Sequence, residues 1–285
     1  MPQFITKHES KKLAKLLFCK NLKSWVSWEK FKTMAQSLKA SLAKKINFFL
    51  GLLKLKLIRL RPYTDYRDYI PFERTIVGAK EAGLSVGDYI DLKHNKPGAT
   101  QDTIERLDAL KVFEGNIERV CEIGPGSGRY LEKVIKKCSP DYYEIYETAK
   151  VWEKWLVEQY QLKAQPTDGK SLASTPSESI DLVQAHKVLS GQPSLVLCRY
   201  LQEMARVTRT GGKIVFDIVT EECFDEETLK NWLDTGRGYQ HYPCLVPKQF
   251  AINLLERHGC NFVGSFFVPM KPGKTECMVF VKKTN

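Results

Sequence analysis

"CEIGPGSG", Cys121–Gly128, decides the reading of this 285-residue chain. Val120–Ile123 has the character of a short buried strand, and a helical pattern starts at Arg129. Between them stand Gly124, Gly126 and Gly128, separated by Pro125 and Ser127. Glycine lets a chain turn tightly and lets a ligand approach the backbone with no Cβ in the way. The following helix then aims its amide-rich N-terminus at that ligand. At the carboxyl end of the first strand of an open α/β sheet, this is the expected ligand crevice.

Glycine spacing alone is a weak signal, because dinucleotide folds use a similar loop, G-x-G-x-x-G. Two details separate this one. Its third glycine comes one residue early, and its strand ends in an acid, Glu122. A carboxylate repels a diphosphate but attracts a sulfonium and an ammonium group. S-adenosylmethionine carries both.

Downstream the pattern alternates. Strands are expected at Tyr142–Tyr146, Ile180–Ala185 and Lys213–Val219, and helices at Arg129–Lys137, Ala149–Tyr160, Leu195–Thr208 and Pro247–His258. Thr210-Gly211-Gly212 reads as the end of the third of these helices. Asn261–Val268 and Glu276–Val281 read as a hairpin pair. Such alternation implies a mainly parallel sheet with helices on both faces. Upstream, Tyr63–Gly98 reads as loops and short helices. Ala99–Leu110 is a helix whose start is expected at Asp102, with Glu105 at capping-box spacing.

Glu122-Ile123-Gly124-Pro125-Gly126-Ser127-Gly128 resembles motif I of the class I S-adenosylmethionine-dependent methyltransferases. "YEIYE" ends in Glu147, where that family places the acid that holds both ribose hydroxyls. "PTDGKSL" puts Asp168 where the family has an acid near the adenine amino group. "SIDLVQAHKVL" and "LQEMARVTRTGGKIVFDIV" are similar to the fourth and fifth strand regions. The likeness covers about residues 117–283. It implies a Rossmann-like, mainly parallel seven-stranded sheet with an antiparallel C-terminal hairpin strand. It also implies S-adenosylmethionine as cofactor, held by Glu122, Gly124, Pro125, Gly126, Ser127, Gly128, Glu147 and Asp168. For Glu147 the residues agree independently, since a carboxylate offers two acceptors to a vicinal diol about 20 residues past the glycines, with a solvated helix N-cap as the competing reading. For Asp168 an Asp-Gly turn is the competing reading.

Methyl transfer from a sulfonium is an in-line displacement, so alignment supplies much of the acceleration. A base is needed when the acceptor is a hydroxyl. The candidate is His186, just past the fourth strand, with a structural imidazole as the rival reading. Asp217, inside the apolar strand "KIVFDIV", could orient a base, contact substrate or cap a turn. In "GYQHYP", Tyr239, His241 and Tyr242 have the composition of a substrate-facing loop. Tyr63–Tyr89, and "DLKHNKPGAT" (Asp91–Thr100) after it, are candidates for the other wall over the cofactor. No D/N-P-P-Y/F/W motif follows the fourth strand, Cys244 reads as a packing residue, and no metal-ligand spacing is present.

Charge divides the chain. Met1–Pro62 carries 15 Lys/Arg against Glu9 and Glu29, a net of +13. The whole chain is +11, so Tyr63–Asn285 nets −2. The expected organisation is a basic amphipathic helical arm over 1–62, a cap of loops and helices over 63–116, and the cofactor-binding domain over 117–285. In the arm, Phe31, Ala35, Leu38, Leu42, Ile46, Phe49, Leu53 and Leu57 recur at helical spacing beside lysines. That stripe suits an anionic membrane surface, the protein's own core or a second copy of the chain. Nucleic acid ranks behind these. Eight cysteines without a C-x-x-C pair, and no signal-peptide pattern, point to a reduced cytoplasmic setting, at the inner membrane surface if the arm binds lipid.

On this reading the chain is a methyltransferase acting on oxygen. The expected acceptor is a hydroxyl of a glycan or glycolipid precursor or of another small metabolite. Its rivals are an RNA or protein methyltransferase that grips substrate with the arm, and a non-catalytic cofactor-binding assembly partner. A nicotinamide-dependent oxidoreductase is the remotest reading.

Overall fold

The computed structural model describes residues 70–234, 244–270 and 273–283. The basic arm, and the loop with Tyr239, His241 and Tyr242, lie outside the described residues.

Three helices come first: α1 (Phe72–Ala82), α2 (Val86–His94) and α3 (Ala99–Ala109). There follow β1 (Arg119–Ile123), α4 (Arg129–Cys138), β2 (Tyr142–Tyr146), α5 (Lys150–Tyr160), β3 (Lys163–Ala164) and β4 (Ile180–Ala185). The rest is α6 (Ser194–Val207), β5 (Thr208–Ile218), α7 (Glu226–Asp234), α8 (Lys248–Arg257), β6 (Cys260–Met270) and β7 (Gly273–Lys282). Seven strands form one sheet in the order β3-β2-β1-β4-β5-β7-β6. Neighbours from β3 to β5 pair in parallel, while β7 runs antiparallel to both β5 and β6.

Period-two alternation sorts the core onto two faces. On β4, Val183 joins Cys121 and Ile123 under Leu197, Leu201 and Met204 of α6 and Leu255 of α8. Leu182 faces the other way, with Val120 and Ile145 under Leu107 of α3, Leu131 and Val134 of α4 and Leu156 of α5. All of β4 is buried, as expected of a central parallel strand. Truncating Leu182 to Ala would cost about 2–5 kcal/mol. Helix α4 shows why its sequence folds this way. Tyr130, Leu131 and Val134 face the sheet, and Lys136 and Lys137 lie on the outward turn.

Two boundaries differ from expectation. Helix α3 starts at Ala99 behind a left-handed Gly98, and Asp102 lies in its first turn. The capping carboxylate comes from another helix: Asp91 of α2 accepts from the Thr100 amide at 2.8 Å and the Thr100 hydroxyl at 2.9 Å. Thr210-Gly211-Gly212 does not end α6. The helix stops at Val207, and Thr208 already pairs with Ile180. The next paired residues are Leu182 and Lys213, so β5 carries a bulge there. Gly212 is required at that bulge, since a Cβ would meet the Arg209 and Asp181 carbonyl oxygens at 2.9 and 3.0 Å.

The chain winds from β1 outward to β2 and β3, then returns to place β4 on the other side of β1. The loops after β1 and β4 therefore diverge and leave a crevice at their carboxyl ends.

Candidate active site

The glycine loop lies at that crevice. Gly124, Gly126 and Gly128 have φ of 61°, 55° and 75°, the left-handed region that side chains avoid. Two of them are packed against neighbours: a Cβ on Gly124 would meet Val188 at 2.6 Å, and one on Gly128 would meet Leu156 at 2.5 Å. Gly126 differs. Its missing Cβ points into open space, with nothing within 4 Å. Beside the loop a cleft runs from Gly124 past Tyr146 and Thr148 to Thr167 and Gly169, walled by Val188 and Tyr200.

Glu147 sits at the loop's shoulder, 5% exposed. One oxygen accepts the Gly126 amide at 2.8 Å and the other the Ala149 amide at 2.7 Å. Burial raises its pKa, opposed by these amides. Each oxygen keeps a second lone pair, so the group could still take a diol. Asp168 is exposed and closes its own turn, accepting the amides of Lys170 and Ser171 and the Ser171 hydroxyl. Its flanking residues, Thr167 and Gly169, line the cleft.

Glu122 is buried at the end of β1 and accepts the Tyr143 hydroxyl at 2.5 Å. Gln184 of β4 donates to the same hydroxyl at 2.8 Å. Burial pushes the Glu122 pKa up to about 7; Tyr143 and Gln184 oppose the shift and the Glu147 charge adds to it. The Gln184 Oε1 and His186 Nε2 atoms are buried with no hydrogen-bond partner among the described residues. Such orphans are uncommon in a finished interior.

His186 lies just past β4, 6% exposed, its ring stacked on Tyr130 at 4.0 Å between centroids. Burial drives its pKa down to about 4; Asp217 resists this, while Lys187 and Arg129 add to it. The imidazole is therefore neutral at neutral pH. Asp217 has other partners. Its carboxylate accepts the Lys187 amide, forms a 3.0 Å ion pair with the Lys187 ammonium and accepts the Thr275 hydroxyl at 2.6 Å. The Lys187 charge holds the Asp217 pKa down against the burial that raises it. Asp217 thus acts on His186 through its field, with no hydrogen bond between them. Lys187, Tyr130 and Thr275 were not among the expected site residues.

Of the expected cap, α2 is described beside the loop. A Cβ on Gly87 would meet the Arg129 backbone at 3.0 Å, and the Arg129 guanidinium pairs with Asp91 at 3.1 Å.

A family model described as a methyltransferase domain matches residues 82–264. The chain belongs to this methyltransferase family. Its sheet order, its glycine loop and that match make it a class I enzyme with S-adenosylmethionine as methyl donor. Among solved structures, the methyltransferase resembles the N-methyltransferase NodS from Bradyrhizobium japonicum WM9 in complex with S-adenosyl-L-homocysteine. Identity is 16%, coverage 69% of this chain and 93% of that one, and the TM-score 0.50. It also resembles a chain from the complex of the Haloferax volcanii Trm112 methyltransferase activator, at 13% identity, 74% and 96% coverage and a TM-score of 0.52. At such identities the likeness establishes the fold. A search of curated proteins returned no sequence match.

Residues around the glycine loop fit this donor. Gly126 leaves the space a ligand would fill, the orphaned Gln184 Oε1 is an acceptor suited to an ammonium, and Glu122 and Glu147 are carboxylates without cationic partners among the described residues. Among the described residues, no helix is long and apolar enough to cross a membrane.

Proposed function

We propose that this methyltransferase methylates a hydroxyl oxygen on a glycan or glycolipid precursor or another small metabolite. His186 is the proposed base. The observation that carries the reading is its buried, neutral ring with an unpartnered Nε2 at the rim beyond β4. In the proposed cofactor site, Gly124, Pro125, Gly126, Ser127 and Gly128 cradle the donor, Glu122 faces its ammonium, Glu147 its ribose and Asp168 the adenine edge.

The chemistry follows. Bound there, S-adenosylmethionine would supply an electrophilic methyl group, its carbon–sulfur bond giving up the methyl in line to the acceptor oxygen and leaving the electron pair on sulfur. The hydroxyl proton passes to His186. Positive charge thus leaves the sulfonium as it appears on the imidazole, and the Asp217 carboxylate favours that new cation. A base with so low a resting pKa accepts a proton only as the acceptor's own O–H bond weakens, which ties proton transfer to methyl transfer. Tyr239, His241 and Tyr242 remain proposed acceptor contacts.

The arm of +13 supports a second reading, a macromolecular RNA or protein acceptor held by charge. As an anchor on anionic lipid, the same arm would place the enzyme at the inner membrane surface. Methyl-labelled donor separates these readings when offered with hydroxylated glycans, hydroxylated metabolites, RNA and protein. Label in a small hydroxyl acceptor, lost in His186→Ala, is expected. Label in amines or macromolecules alone would overturn the proposal.

A further inference from the structure

A second cavity, of about 150 Å3, lies between α3 and the last residues of β6. Such a volume matches a single six-membered ring. Phe266 and Val268 form one wall, and Lys96, Thr103 and Arg106 stand around it.

Its position connects it to the proposed methyl-transfer end. The Lys187 ammonium lies 3.5 Å from the carbonyl of Val268 in that wall. On the other side, Ile104 and Leu107 of α3 pack in one apolar cluster with Tyr130, the ring stacked on His186. Each wall is therefore one side chain away from the His186 neighbourhood.

Its chemistry is that of a ring joined to an anion. Arg106 lies 5.6 Å from the Phe266 ring centroid, and its single hydrogen bond, to the Phe267 carbonyl, is 3.4 Å long. Most of its five donors are unclaimed among the described residues. Lys96 is exposed with no partner among them. Asp102 also lines the cavity. It sits in the first turn of α3, where the helix dipole already favours its charge, so it does not require a cationic ligand.

We infer that this cavity holds an aromatic carboxylate portion of the methyl acceptor, ring against Phe266 and carboxylate on Arg106 and Lys96. The inference rests on the small-acceptor reading above and narrows it.

The test uses the full chain saturated with S-adenosylhomocysteine and fluorine NMR of three probes: fluorobenzoate, neutral fluorobenzyl alcohol and cationic fluorobenzylamine. Fluorobenzoate is expected to bind best, with affinity falling about fivefold or more in Arg106→Gln and less in Arg106→Lys. Absent fluorobenzoate binding, equal or better binding of either other probe, or an unaffected Arg106→Gln would overturn the inference. Affinity for S-adenosylhomocysteine, titrated alongside, is expected to be the same in wild type and Arg106→Gln. Failure of that titration in the wild type would strike the cofactor site instead.

Discussion

Affinity for the donor should rise with pH through neutrality, and Glu122 is the reason. Its carboxyl is buried and raised to about 7, so roughly a tenth is ionised at pH 6 and about three quarters at pH 7.5. If only the ionised form receives the ammonium, apparent Kd falls about eightfold between those pH values. His186, near 4, does not titrate in this window. Calorimetric titration with S-adenosylhomocysteine avoids donor breakdown, and repeating it in buffers of different ionisation enthalpy reads proton release directly. Glu122→Gln should bind more weakly with a flat profile. A flat wild-type profile, or the same slope in Glu122→Gln, would refute the reasoning. The same shift bears on stability. A carboxyl with a folded pKa above its unfolded value favours the fold below about 4.5 and loses that contribution as pH climbs to about 7. The ligand-free variant should therefore lose less melting temperature than wild type between pH 5 and pH 8.

Other expectations concern single side chains. His186→Ala should leave S-adenosylhomocysteine binding near normal and cut turnover at least about tenfold in single-turnover assays. Gly126→Ala should fold, with a strain cost of about 1–2 kcal/mol, yet lose donor binding because its methyl fills the open side of the loop; Gly124→Ala should melt lower because its methyl strikes Val188. Lys187→Met leaves the Asp217 carboxylate buried and unpaired, a loss of about 3–5 kcal/mol in urea unfolding, and Lys187→Met with Asp217→Leu should recover most of it.

The sheet was legible because its strands are short, apolar and evenly interrupted; Val120–Ile123, Tyr142–Tyr146 and Ile180–Ala185 all appear within a residue of expectation. The glycine loop was legible because the residue type itself reports the backbone. What escaped the sequence depends on partners far along the chain. Asp102 looked like a cap because Asp91, nine positions before Thr100, does not advertise its reach. Gly211-Gly212 looked like a helix stop, yet it makes a bulge opposite β4. The acid in "KIVFDIV" gave no hint of Lys187 or Thr275. Asp168 spends its carboxylate on its own turn, with Thr167 and Gly169 on either side lining the cleft.

The link from Asp217 to Thr275 spans 58 residues and joins β5 to a strand of opposite polarity. A ribosome adding roughly 5–20 residues per second needs about 3–12 seconds to cover that interval. Until then β5 has no neighbour on that side, and its row of amides and carbonyls is open to any passing strand. The ion pair beside it also lacks its third member. The nascent enzyme thus passes through a stage in which its donor loop is complete but its rim is not, and that interval is when a chaperone would matter most.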